Sequence, residues 1–143
     1  MSQASIRRLG PEDSNVVLRA AHLFDDVPRR EWTDRFLSGR DYVMFLAELD
    51  GEPVGFLTAV EIVHPDKDAE LLIYELGVDE PMRRHGIGRR LVDAAIEHAR
   101  QSELRGMWVP FEPDNAAALA TYRAAGGAVP ENASIINWDF PAD

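Results

Sequence analysis

The chain has 143 residues, 45% hydrophobic and 28% charged, a size and balance that suit one folded domain with a real core and not a disordered segment. Its formal net charge of −10, from 25 acidic against 15 basic residues, argues against a nucleic-acid binder. No apolar run approaches the roughly 20 residues of a membrane span, and the lack of cysteine excludes disulfides, thiolate metal sites and cysteine nucleophiles.

The opening stretch, "MSQASIRRLG", lacks the apolar segment of a secretory signal, so a cytoplasmic location is expected. Within it "ASIRRL", residues 4 to 9, predicts a first strand closed by Gly10-Pro11. "PEDSNVVLRAAHLF" carries Val17, Ala20, Ala21 and Phe24 at helical spacing, with Pro11 suited to a first turn. A second helix is expected after Pro28, with Trp32, Phe36 and Leu37 on its inner face. "DYVMFLAELDGEPVGFLTAVEIVH" reads as two strands around Asp50-Gly51, a favoured hairpin dipeptide. "AELLIYELGV" is the next strand, paired antiparallel across "HPDKD". Its alternation puts Leu72, Tyr74, Leu76 and Val78 on one side and Leu71, Ile73 and Glu75 on the other. A helix is predicted over 86–104, a strand in "GMWVPFE", and a short alanine-rich helix in "DNAAALATYRAAG". That last helix is capped by Asp114 or Asn115 and stopped by Gly126-Gly127. "SIINWDF" predicts a closing strand, and no repeat or linker divides the chain. Residues 1–143 thus read as a single α/β domain, β-α-α-β-β-β-α-β-α-β, around one mixed sheet.

Between the strand "AELLIYELGV" and the 86–104 helix stands "RRHGIG". Free N–H groups at a helix start point outward, and the helix dipole adds roughly half a positive charge. Glycines let backbone come close to a bulky anion, and Arg83, Arg84, His85, Arg89 and Arg90 concentrate positive charge in an acidic chain. Physically this is a phosphate cradle, or else a plain turn with solvated arginines. It is not a nucleotide-triphosphate loop, since no Gly-Lys-Ser/Thr follows, and no third glycine completes a dinucleotide fingerprint.

Arg83, Gly86 and Gly88 fit the pattern Arg/Gln-x-x-Gly-x-Gly/Ala, and Asn115, Ala118, Tyr122 and Gly126 fit Asn-x-x-Ala-x-x-x-Tyr-x-x-x-Gly. Both patterns, and the element order over nearly the whole chain, resemble the GNAT superfamily of N-acetyltransferases. Gly127 departs from it, standing where an aromatic residue is common. The resemblance implies a GNAT-like domain with a mixed, mostly antiparallel sheet flanked by helices. Its central strands, 71–78 and 106–112, would splay apart to admit an acetyl group. It further implies acetyl-CoA as cosubstrate and no metal. Arg83, Arg84, His85, Gly86, Ile87, Gly88 and Arg89 would hold the pyrophosphate, while Leu76, Gly77 and Val78 would pair with the pantetheine amides. Asn115 is placed either against the pantetheine arm or as the helix cap.

Acetyl transfer needs an uncharged amine, a hydrogen-bonded carbonyl oxygen and a proton for the leaving thiolate. Tyr122 matches the superfamily's general acid. For the base, Glu75 sits mid-strand, an odd place for a carboxylate unless it faces a cleft, and Glu112 ends the strand "GMWVPFE"; each is otherwise a strand carboxylate paired with an arginine. His64 and His85 could titrate near neutrality, whereas His22 and His98 are read as surface residues on helices. With four histidines and no cysteine, no zinc constellation forms.

"IYELGV", "RRHGIG", "VPFEPDNAAALATYRAAG" and "INWDF" together are similar to the small aminoglycoside 3-N-acetyltransferases. In those, the first segment runs Ile-Tyr-Asp-Leu-Ala-Val; Glu75 and Glu112 here replace aspartates one methylene shorter, which leaves the acetylated position open. The resemblance implies an aminoglycoside acceptor, acetylated at its 3-amino group, and a homodimer contacting through the C-terminal strand. An acidic cleft suits such a polycation. Asp25, Asp26, Glu31 and Asp34 around the first helices, with Asp114, Glu75 and Glu112, are its candidate walls, or else a solvated face. The alternatives are acetylation of a protein N-terminus, lysine or polyamine, or an acyl-CoA-binding domain without turnover.

Overall fold

The computed structural model describes residues 3–131 and 135–141. Its frame is a five-stranded sheet whose order follows the chain: β1 (Ser5–Arg8), β2 (Tyr42–Leu49), β3 (Glu52–Ile62), β4 (Glu70–Val78) and β5 (Gly106–Trp108). The first four pair antiparallel and β5 lies parallel to β4. Asp50 and Gly51 join β2 to β3 with φ of 52° and 81°, the paired positive values that a tight hairpin requires.

Alternation along β2 and β3 divides the core between the two faces of the sheet. Val43, Phe45, Leu57 and Ala59 meet Ile87, Leu91, Val92 and Ala95 of α3 (Ile87–Gln101) on one face. Met44, Leu46 and Phe56 meet Val17 of α1 (Ser14–Arg19) and Leu37 of α2 (Arg30–Ser38) on the other. The helix expected over the 11–24 region is interrupted: single tight turns at Pro11–Asp13 and Ala21–Leu23 flank α1, and Ala20, fully buried, sits at the second break. α4 (Ala116–Ala124) leans on α3.

The strand expected in "GMWVPFE" ends at Trp108. Only Gly106, Met107 and Trp108 pair with β4, opposite Glu70, Leu71 and Leu72. Pro110 follows, which has no N–H to give to a ladder, and the chain leaves the sheet. The expected splay between these strands is therefore present. The closing strand is not. Residues 135–141 belong to no strand, and Ile135, Ile136, Trp138 and Phe140 are exposed at 68%, 76%, 72% and 86%. Their alternating pattern favours a strand, but a strand also needs an edge to pair with, and residues 135–141 pair with none of the five strands. Ser134, the first residue of the expected strand, lies outside the described residues.

Candidate active site

Glu75 owes its position to a bulge. Thr58 of β3 stands opposite Glu75 while Ala59 stands opposite Ile73, so Tyr74 has no opposite number. One extra residue reverses the alternation of everything beyond it. Leu71 and Ile73 point into the α3-side core, and so do Leu76 and Val78, which simple alternation put on the opposite side. Glu75 turns to the other face, beside Thr58 and the α1–α2 layer, contrary to the side read from simple alternation. The bulge thereby keeps a carboxylate out of the apolar core and aims it into a cleft.

Two cavities meet there. The larger, about 690 Å³, fills the splay between β4 and the 110–122 segment. Leu76, Gly77 and Val78 line it from one side, Glu112, Asn115 and Tyr122 from the other, and Arg83 lines it as well. The smaller, about 340 Å³, lies between α2 and the sheet. Phe24, Asp25 and Glu75 line both. Burial pushes the Glu75 carboxyl above its ordinary value; the Thr58 hydroxyl, 3.4 Å away, pulls it back down, and the charge of Asp25 pushes it up again. Tyr122, half-buried against the α3-side core, has its phenol raised by burial. Asn115 caps α4, its side-chain oxygen accepting from the Ala118 N–H at 3.1 Å, which leaves the amide nitrogen for the cavity it lines.

In the "RRHGIG" turn the two glycines differ in what they owe to the fold. Gly86 is the N-cap of α3 at φ 78°, a left-handed conformation that favours glycine. A Cβ on Gly88 would sit 3.6 Å from Thr121 Cγ2 and 3.7 Å from Val78 Cγ2, ordinary contacts. The fold does not need a glycine at 88; an anion lying against the helix start would. Arg84 also sits at positive φ, 66°, a cost of about 1 kcal/mol for a residue with a side chain. Arg83 Nε donates to the Val78 carbonyl at 3.2 Å, tying the turn to β4. His85 turns Nδ1 to the carbonyls of Met82 and Arg83. Arg89 pairs with Asp93 at 3.1 Å, and Arg90 is spent on the Ala4 carbonyl beside β1. Ile87 is buried, so only its backbone faces the turn.

Of the expected acidic wall, Asp25 lines both cavities and Asp26 the smaller. Glu112 is exposed on the larger cavity's far rim. Glu31 and Asp114 are exposed and line neither, and Asp34 holds the buried Ser14 hydroxyl at 2.5 Å. Trp32, expected inward, is 60% exposed beside the smaller cavity, with the Arg29 guanidinium 4.1 Å from its ring centre. His98 is not a surface residue: it is largely buried and bound to Glu61 at 2.9 Å. His22 lines the larger cavity and touches the Pro53 carbonyl, while His64 pairs with Glu70 at 2.7 Å. Sequence reading passed over Thr58, whose one signal was a lone hydroxyl inside the apolar run of β3.

The acetyltransferase (GNAT) family model matches residues 12–126. A mycothiol acetyltransferase of Nocardia farcinica is 30% identical over 83% of this chain and 43% of its own length. An uncharacterised N-acetyltransferase of Methanocaldococcus jannaschii is 33% identical over 66% of this chain and 43% of its own. The chain thus spans less than half the length of these relatives. Among solved structures, an aminoglycoside acetyltransferase from an uncultured soil metagenomic sample, in complex with sisomicin, superposes with TM-score 0.88 at 22% identity, over 96% of this chain and 97% of that one. The aminoglycoside N-acetyltransferase AAC(6')-Iy in complex with CoA gives 0.79 at 18%, over 96% of each.

Proposed function

On the premise that the chain belongs to the GNAT acetyltransferase family, we propose that it moves an acetyl group from acetyl-CoA to a primary amine of an aminoglycoside, at the 3-amino position. The observation that carries this reading is the half-buried Glu75 carboxyl where the two cavities meet. The volume and the lining of the larger cavity suit a pantetheine arm. Leu76, Gly77 and Val78 form its β4 wall, and the glycine turn beyond Arg83 suits the pyrophosphate. The larger cavity's other wall brings Tyr122 and Asn115 to it.

In the reaction the neutral amine nitrogen bonds to the thioester carbon, and the carbon–sulfur bond breaks with its electron pair on sulfur. Glu75 takes the amine's proton, directly or through water, and Tyr122 supplies one to the thiolate. A carboxyl raised toward neutral pH is a better match for that first task than one at its ordinary value. Asp25 and the exposed Glu112 attract the cationic acceptor. A homodimer in the cytoplasm belongs to the same reading; the exposed Ile135, Ile136, Trp138 and Phe140 support the dimer, as apolar side chains a second copy would cover. Acetyl transfer measured across gentamicin-like, kanamycin-like and polyamine acceptors tests the proposal. Turnover of polyamines or peptides with no aminoglycoside acetylated overturns the acceptor and leaves the transferase.

A further inference from the structure

Asp25 and Glu112, the carboxylates that would attract a polycation, line the larger cavity, whereas the remaining walls of the smaller one are a poor match to such a ligand. Val17, Leu37 and Met44, all nearly buried, line the smaller cavity together with Phe24, Phe36 and Trp32. Hydroxyl and ammonium groups pressed against such walls would lose hydrogen bonds to water and gain few in return. A cation is already present, since the Arg29 guanidinium lies over the Trp32 ring, and it opposes a second one nearby. Carboxylates stand at Glu75 and Asp25, which also line the coenzyme-side cavity, and at Asp26. A ligand here would keep one ammonium group at the junction and turn an uncharged body away from it. The volume, about 340 Å³, lies at the lower end for small-molecule sites.

We propose that this cavity makes the protein an N-acetyltransferase for small monoamines with an aryl or branched alkyl body, a second acceptor class beside the polycations. The inference rests on the transferase reading above and uses its chemistry unchanged. Nitrogen gains a bond to the acetyl carbon and gives up a proton through Glu75. The carbon–sulfur bond breaks, and sulfur takes a proton from Tyr122. The products are the amide and coenzyme A. Attraction between Glu75 and the ammonium sets the amine at the junction, and the apolar walls supply the affinity.

The test is steady-state thiol release with 3-phenylpropylamine, propylamine and sisomicin as acceptors. The protein has no cysteine of its own to react with the thiol reagent. Rates are expressed per neutral amine, so that basicity does not enter the comparison. We expect kcat/KM for 3-phenylpropylamine to exceed that for propylamine at least tenfold, the scale of discrimination an apolar pocket gives. Trp32→Ala, at an exposed position where the fold tolerates change, should collapse that ratio to below threefold. Equal use of the two amines, or a ratio that Trp32→Ala leaves intact, overturns the inference; sisomicin turnover in the same assay then leaves the transferase reading standing. Thiol release with none of the three overturns both.

Discussion

Glu75 and Tyr122 are both displaced from their ordinary titration by burial, and each makes a prediction that separates chemistry from packing. Because the folded chain holds the Glu75 proton more tightly than the unfolded chain does, its contribution to stability is full below the ordinary glutamic-acid value and is lost as pH rises through the raised one. Glu75→Gln should therefore melt higher than wild type at pH 7, and the gap should close below about pH 4. In the same variant kcat should fall, and raising the pH should restore part of it by supplying neutral amine. A melting temperature that drops at pH 7 would show the carboxylate held by partners in the fold and not poised in a cleft. Tyr122→Phe keeps the ring in its place against the α3-side core and removes only the hydroxyl. If Tyr122 donates the proton, kcat should fall about 10²–10⁴-fold with coenzyme affinity held, as calorimetry with acetyl-CoA can check. Wild-type kcat in that variant assigns Tyr122 to packing.

At the scale of elements, the turn before α3 sets fold against binding at neighbouring glycines. Gly88→Ala finds room for its Cβ and gains helix propensity, so stability should hold or rise by up to about 0.5–1 kcal/mol. If an anion lies against that backbone, acetyl-CoA affinity should nonetheless fall tenfold or more, and Gly88→Asp should abolish binding while the protein stays folded. Gly86→Ala forces a side chain to φ 78° and should cost about 1 kcal/mol of stability. Unchanged coenzyme affinity in folded Gly88→Asp removes the cradle. This turn, the Asp50-Gly51 hairpin and the cap of α4, narrowed to Asp114 or Asn115, were legible in the sequence because each depends on residues within a few positions of one another. What was not legible depends on neighbours in space. Alternation along "LLIYELGV" cannot reveal the bulge at Tyr74, since the extra residue is defined only against β3, and so Glu75 was assigned the wrong side. "SIINWDF" carries strand propensity, but propensity does not supply a partner edge. Trp32 fits the inner face of α2 by spacing, yet what lies beneath it is a cavity and not a core.

Across the whole molecule the net charge of −10 bears on which acceptors arrive, independently of which fit. An acidic protein attracts a cation in proportion to the cation's charge, and the attraction raises the rate of encounter. Salt shortens its range, the Debye length falling from about 30 Å at 0.01 M to about 8 Å at 0.15 M. The two proposed acceptor classes should then respond differently. An aminoglycoside carries several ammonium groups, so its kcat/KM should fall several-fold between those ionic strengths, mostly through KM. A monoamine held by apolar contact carries one, and its kcat/KM should change by less than about twofold. Glu112→Gln, at an exposed carboxylate on the cavity rim, should raise the aminoglycoside KM at low salt and lose much of that effect at 0.15 M, where wild type is screened as well. It should leave the monoamine KM nearly alone. Parallel salt profiles for both classes would mean that long-range charge does not select the acceptor, and that the carboxylates act only at contact. Divergent profiles, with the aminoglycoside the steeper, tie the composition of the whole chain to the chemistry at its cleft.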